Sequence, residues 1–138
     1  MEKQTIKVDI IVKKPVSEVF TYISDLNNCA NPSVKVEEVI VDEPIAVGTK
    51  FKIIGSLGEG ERNWKSKNKI INMEKDKSFG YIKLGYEPLL DVTIIFEFTK
   101  SFRGTRISQT TKTITSHIDL TTKDLKEELE EIKKKIEK

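Results

Sequence analysis

The chain has one histidine and one cysteine among its 138 residues, so its means for proton transfer and thiol chemistry are narrow. Imidazole alone has an unperturbed pKa suited to acid–base work near neutrality. His117 falls where the last strand hands over to a helix, with Asp119 close in sequence. No nucleophile or paired carboxylate accompanies it at telling spacing, so it reads as a surface histidine. Cys29 follows the first helix and reads as a small buried residue, with nothing beside it that would lower its pKa. Two soft ligands in total are too few for a structural zinc site, and neither a metal nor a cofactor is expected. The run Gly55-Ser56-Leu57-Gly58-Glu59-Gly60 resembles a phosphate-binding loop only in its glycines. It lacks the Lys-Ser/Thr of a P-loop and no helix follows it, so it reads as a hairpin turn or bulge.

Polar residues at core-facing positions are more informative. Side chains alternate across a strand. In 60–74 this puts Arg62, Trp64, Ser66, Asn68 and Ile70 on one face and Asn63, Lys65, Lys67 and Lys69 on the other. A desolvated lysine stripe is costly, so the lysine face is the solvent face and Trp64, Ser66 and Asn68 point inward. In 90–101, Val92, Ile94, Phe96 and Phe98 share the inward face. In 103–116, Ile107, Gln109, Thr111 and Thr113 alternate with Ser108, Thr110 and Lys112, polar on both sides. This is a cavity wall hydrogen-bonding through Gln109 and Thr111, or an edge strand wet on both faces. Phe79 and Tyr81 face in from the neighbouring strand. Buried polar groups need partners, which a cavity filled by water or ligand supplies. The candidate ligand-binding set is Phe20, Ile23, Trp64, Ser66, Asn68, Tyr81, Phe96, Phe98, Gln109, Thr111, Leu125 and Leu129. The inward face shows no Asp, Glu or His at its centre, so no catalytic residue is assigned and an enzyme is disfavoured.

The elements that must position these side chains are legible from periodicity. Residues 5–13 alternate, with Ile6, Val8, Ile10 and Val12 on one face, as in a half-buried strand. Pro15 suits the first turn of a helix, and Val16, Val19, Phe20, Ile23 and Leu26 recur at helical spacing. Asn27, Asn28, Asn31 and Pro32 end that helix in an irregular or short helical stretch. From 34 to 116 the pattern is strands: 34–42, 49–57, 60–74, 78–86, 90–101 and 103–116, divided by turn signals at Pro44 and Gly48, Gly55 to Gly60, Lys75-Asp76-Lys77, Glu87-Pro88 and Arg103-Gly104. Thr121-Thr122-Lys123-Asp124 resembles a capping box. Leu125, Leu129, Ile132 and Ile136 then form one apolar stripe on a charged helix roughly 27 Å long. An exposed stripe of this kind is unfavourable, so it covers the sheet's concave face or pairs with a second copy.

Composition bounds the function. The length suits one domain, 1–138. Charged residues are 33% of the chain and the net charge is +2, too balanced for a protein that relies on neutralising nucleic-acid phosphates. No apolar run approaches the ~20 residues of a membrane span. A start that runs directly into a strand pattern, with one cysteine, points to the cytoplasm.

The order strand, helix, six strands, long helix resembles the helix-grip fold of the START/Bet v 1-like superfamily, nearest its polyketide cyclase/dehydrase and lipid transport branch. Three local runs carry the likeness. The segment from Lys14-Pro15-Val16 to Asp25-Leu26 is similar to the family's first helix, Val47-Gly48-Thr49-Lys50-Phe51 to its second hairpin, and Arg103-Gly104-Thr105-Arg106-Ile107 to the turn before its last strand. Many members carry a tryptophan just after the first helix, and this chain has none there. The resemblance implies an α+β fold, a curved antiparallel sheet of about seven strands around a C-terminal helix, with short helices after strand 1. It implies a small hydrophobic or amphipathic ligand held by a monomer or weak homodimer. The alternatives are a cyclase/dehydratase-like enzyme and a protein-interaction module with a filled cavity.

Overall fold

The computed structural model describes residues 2–30, 34–42, 44–84, 91–115 and 121–138. Its frame is one seven-stranded antiparallel sheet: β1 (Glu2–Val12), β2 (Lys35–Val41), β3 (Lys50–Ser56), β4 (Trp64–Glu74), β5 (Ser78–Lys83), β6 (Val92–Ser101) and β7 (Gly104–Thr115). The spatial order is β1-β7-β6-β5-β4-β3-β2. Strands β2 to β7 form a meander, as expected of short strands joined by turns. The exception is β1, which pairs with β7 from Val12↔Thr105 to Glu2↔Thr115. Between β1 and β2 lie α1 (Val16–Ile23) and a single 3-10 turn (Leu26–Asn28).

Helix α2 (Thr122–Glu137) grips the sheet through the stripe the spacing predicts. Leu125 and Leu129 are buried in the common core, and Ile132 and Ile136 are half-buried against it. The Thr121 hydroxyl accepts from the Asp124 N–H at 3.1 Å, so the helix begins with a side-chain cap. Both ends are fastened to the sheet's β1 side. Lys126 Nζ donates to the Asp9 carbonyl, and the Lys13 N–H donates to Glu137 Oε2 at 2.7 Å. The stripe therefore covers the concave face, as the first of the two alternatives required.

Three details depart from expectation. Strand β4 starts at Trp64, not at 60, because Arg62 adopts φ 51° in the turn. Arg62 is exposed and paired with Glu38 at 3.1 Å, so it does not share the inward face. The turn is closed by Asn63, whose amide exchanges two hydrogen bonds with the Leu57 backbone at 2.7 and 2.8 Å. The glycine run is thus the β3–β4 hairpin loop. Strand β7 is not an edge. It lies between β1 and β6, and its Gln109, Thr111 and Thr113 face is buried. No helix of the described residues is long and apolar enough to cross a membrane.

Candidate functional site

All twelve predicted residues point into the grip. Phe20, Ile23, Trp64, Ser66, Asn68, Tyr81, Phe96, Phe98, Gln109, Thr111, Leu125 and Leu129 are each buried. The register explains how. Phe79 pairs with Phe96, which pairs with Gln109, which pairs with Val8; one row along, Ile70, Tyr81, Ile94, Thr111 and Ile6 line up. Rows of cross-strand neighbours on one face touch side by side. Phe20 meets Phe98 edge-on at 6.1 Å, which seats α1 over β6. Lys65, Lys67 and Lys69 are exposed on the opposite face.

The apolar rows hold a polar seam. Asn68 Nδ2 donates to Ser66 Oγ at 3.0 Å, and Gln109 Nε2 to Thr111 Oγ1 at 3.4 Å. The oxygens Asn68 Oδ1, Gln109 Oε1 and Thr113 Oγ1 are buried without a hydrogen-bond partner among the described residues. Leaving such a group unmatched costs about 1–3 kcal/mol, so three on one wall are a sizeable penalty for a domain of this size.

The structure adds charges that the sequence reading missed. Lys83 continues the inward alternation of Phe79 and Tyr81, is cross-strand partner of Asn68, and is only 9% exposed. Its ammonium lies 5.8 Å from the Trp64 ring centroid. Burial holds its pKa below the ordinary 10.5, against the opposing pull of Glu128 and Cys29. Glu128 arrives from α2, with its pKa raised above 4.5 by desolvation while Lys83 pulls it down. Glu128 is half-buried at the margin of the grip, and it is not among the residues that line the cavity. The helical spacing marks Glu128, three residues after Leu125 and four before Ile132. Tyr81 donates to the Cys29 carbonyl at 3.0 Å. Burial pushes the Tyr81 hydroxyl and the Cys29 thiol upward, which disfavours the thiolate at Cys29. His117 lies outside the described residues.

The enclosed space lined by the described residues is small. A cavity of about 50 Å³ lies between α1, the 3-10 turn, the sheet and α2. Ile23, Tyr81 and Phe96 line it with Cys29, Val34 and Ile132. Of the twelve predicted residues only those three line it; Asn68 instead lines a more open pocket of about 300 Å³ with Phe51, Ile40 and Leu84. The enclosed volume accommodates a water or two, whereas a drug-sized ligand occupies about 300–1,000 Å³.

No family model and no curated protein sequence matches the chain. Solved structures do. Ara h 8.0201 superposes with a TM-score of 0.76 at 17% identity over 99% of this chain and 96% of that one. The di-domain ARO/CYC protein StfQ of the steffimycin biosynthetic pathway gives 0.73 at 12% identity, over 98% of this chain and 50% of that one. Protein CV1439 from Chromobacterium violaceum gives 0.70 at 15%, over 97% and 98%. At these identities the likeness is one of architecture, and with the sheet order and the gripping α2 it makes this a Bet v 1-like helix-grip fold.

Proposed function

We propose that the chain binds a small amphipathic molecule between the concave face of the sheet and α2. Its apolar body rests on Phe20, Phe96, Phe98, Leu125 and Leu129, and its polar end meets Asn68, Gln109 and Thr111. The observation that carries this reading is the set of three buried oxygens on the concave wall, Asn68 Oδ1, Gln109 Oε1 and Thr113 Oγ1, without partners among the described residues. A wall selected only for stability would fill those positions with valine or isoleucine, which suit a strand and need no partner. The cavity lined by the described residues is smaller than such a molecule, so binding there needs the space between α2 and the sheet to widen. Trp64 is the chain's one tryptophan and lies on the concave wall, so its emission reports occupancy directly. Titration with fatty acids, sterols and polycyclic phenols is expected to change Trp64 fluorescence saturably, and native mass spectrometry of gently purified protein to show a retained small mass. Absence of both across the panel refutes the reading and leaves a packed interior suited to protein contact.

A second reading is favoured by the buried Lys83 and the half-buried Glu128, whose pKa values are shifted toward each other. Such a pair is placed to move a proton on a bound polyketone, as in a cyclase or dehydratase. Turnover of an aromatic polyketone that is lost in Lys83→Met, with binding retained, would select it over simple carriage.

A further inference from the structure

The β6–β7 hairpin ends in an unusual tip. Ser101 pairs with Gly104, so Phe102 and Arg103 are the two turn residues. Two-residue hairpin turns favour Asn, Asp and Gly, which accept the backbone geometry and face water. Here the first position is a phenylalanine that is 104% exposed, with its ring against nothing. The tip is held firmly. Gly104 has φ 146°, and a Cβ there would strike the Val12 carbonyl. Thr105 Oγ1 donates to the Lys14 carbonyl at 2.8 Å, fastening the hairpin to the β1–α1 connection. Behind the ring lies an open concavity of about 610 Å³ whose charged lining is Lys13, Lys14, Lys100 and Arg103 against one acid, Asp76.

We infer that this tip docks the protein on a membrane containing anionic phospholipid, with Phe102 in the acyl region and the four cations at the phosphates. The two halves of the surface ask for different phases. An aromatic ring on a convex point gains from an apolar medium that deforms around it, and the basic collar gains from fixed negative charge at the depth of the headgroups. A protein partner would have to offer a pocket, and a nucleic acid would meet one ring without a track of stacking platforms. Neither signal is sufficient alone; together they give reversible attachment. The inference is independent of what the interior holds.

The test is co-sedimentation of the full chain with phosphatidylcholine vesicles, with and without phosphatidylserine, at low and high salt. Phe102 and Arg103 are exposed, so Phe102→Ser and the pair Lys100→Gln with Arg103→Gln are expected to melt as the parent does. The parent should partition only onto the phosphatidylserine vesicles and detach as salt screens the collar. Phe102→Ser should weaken partitioning about tenfold, and loss of the two cations about thirtyfold. No partitioning at low salt overturns the inference, as does Phe102→Ser binding like the parent, which would indicate unspecific adsorption of charge. A single-stranded oligonucleotide that is bound through Phe102 while the vesicles are ignored also overturns it.

Discussion

If the polar seam is kept for a ligand, removing it should make the empty protein more stable. The decisive variant carries Asn68→Leu together with Ser66→Ala. Asn68 is 1% exposed, its Nδ2 bonds only Ser66 Oγ at 3.0 Å, and its Oδ1 bonds nothing among the described residues. The double change removes both ends of that hydrogen bond, which contributes a net ~0.5–1.5 kcal/mol, and leaves no orphaned hydroxyl. It also removes an unmatched oxygen that costs ~1–3 kcal/mol and adds buried apolar surface at about 25 cal/mol per Å². Leucine keeps the branching of asparagine, with some crowding from its extra volume. The balance is a gain of about 1–2 kcal/mol, or roughly 3–8 °C in melting temperature for a domain of this length. Calorimetry of purified wild type and variant reads the change. Trp64 titration with the best ligand of the panel should show affinity falling at least about tenfold, since a polar ligand group would then lack its partner. A melting temperature that drops by several degrees would refute the reasoning, because it would mean the Asn68 amide is satisfied and structural. Unchanged affinity would refute the placement of the ligand's polar end.

Four further outcomes follow from the same structure. Leu129→Ala removes a fully buried side chain from the gripping helix, and denaturant unfolding should show a loss of about 3–5 kcal/mol. Lys83 has a folded-state pKa below 10.5, so the folded protein releases that proton first and its stability contribution is regained as pH rises from the lowered value to 10.5. Denaturation midpoints of wild type should therefore rise relative to Lys83→Met across that alkaline window; parallel curves would show that Lys83 titrates normally. Glu128 has the opposite sign: its raised pKa favours the fold as pH falls through that value toward 4.5, and Glu128→Gln should remove this acid-side gain. Gly104→Ala should destabilise by more than about 1 kcal/mol in the same assay, through the Val12 carbonyl clash and a positive φ.

The grip was readable from the chain because periodic patterns report burial one element at a time. Leu125 and Leu129 mark the buried face of α2, and Thr121 its start, without reference to any other element. The alternation of Ser66 and Asn68 with lysines gave β4 its two faces in the same way. What could not be read depends on partners distant in sequence. Strand β7 looks like a wet edge by composition, and only pairing with β1, the first strand, makes it central. Lys83 fell on an inward position by alternation, yet a lysine there is tolerable only because Trp64, Glu128 and neighbouring groups surround it. Arg62 was set on the inward face by extending the β4 period through a turn that its positive φ creates. The size of the cavity is a residue of packing among many side chains, and no single run of sequence encodes it.

The pairing of β1 with β7 has a consequence for biosynthesis. Val12 meets Thr105, so a growing chain exposes its first strand 93 residues before the nearest part of its neighbour exists. At ribosomal speeds of about 5–20 residues per second, that ribbon waits roughly 5–20 s with Ile6, Val8 and Ile10 in water. Strands β2 to β6 can meanwhile zip in order, each beside the one just made. Closure of the first strand is then the late, long-range event of folding. Lys7 and Asp9 alternate along the same ribbon, and charges on an unpaired strand disfavour pairing with a wrong partner.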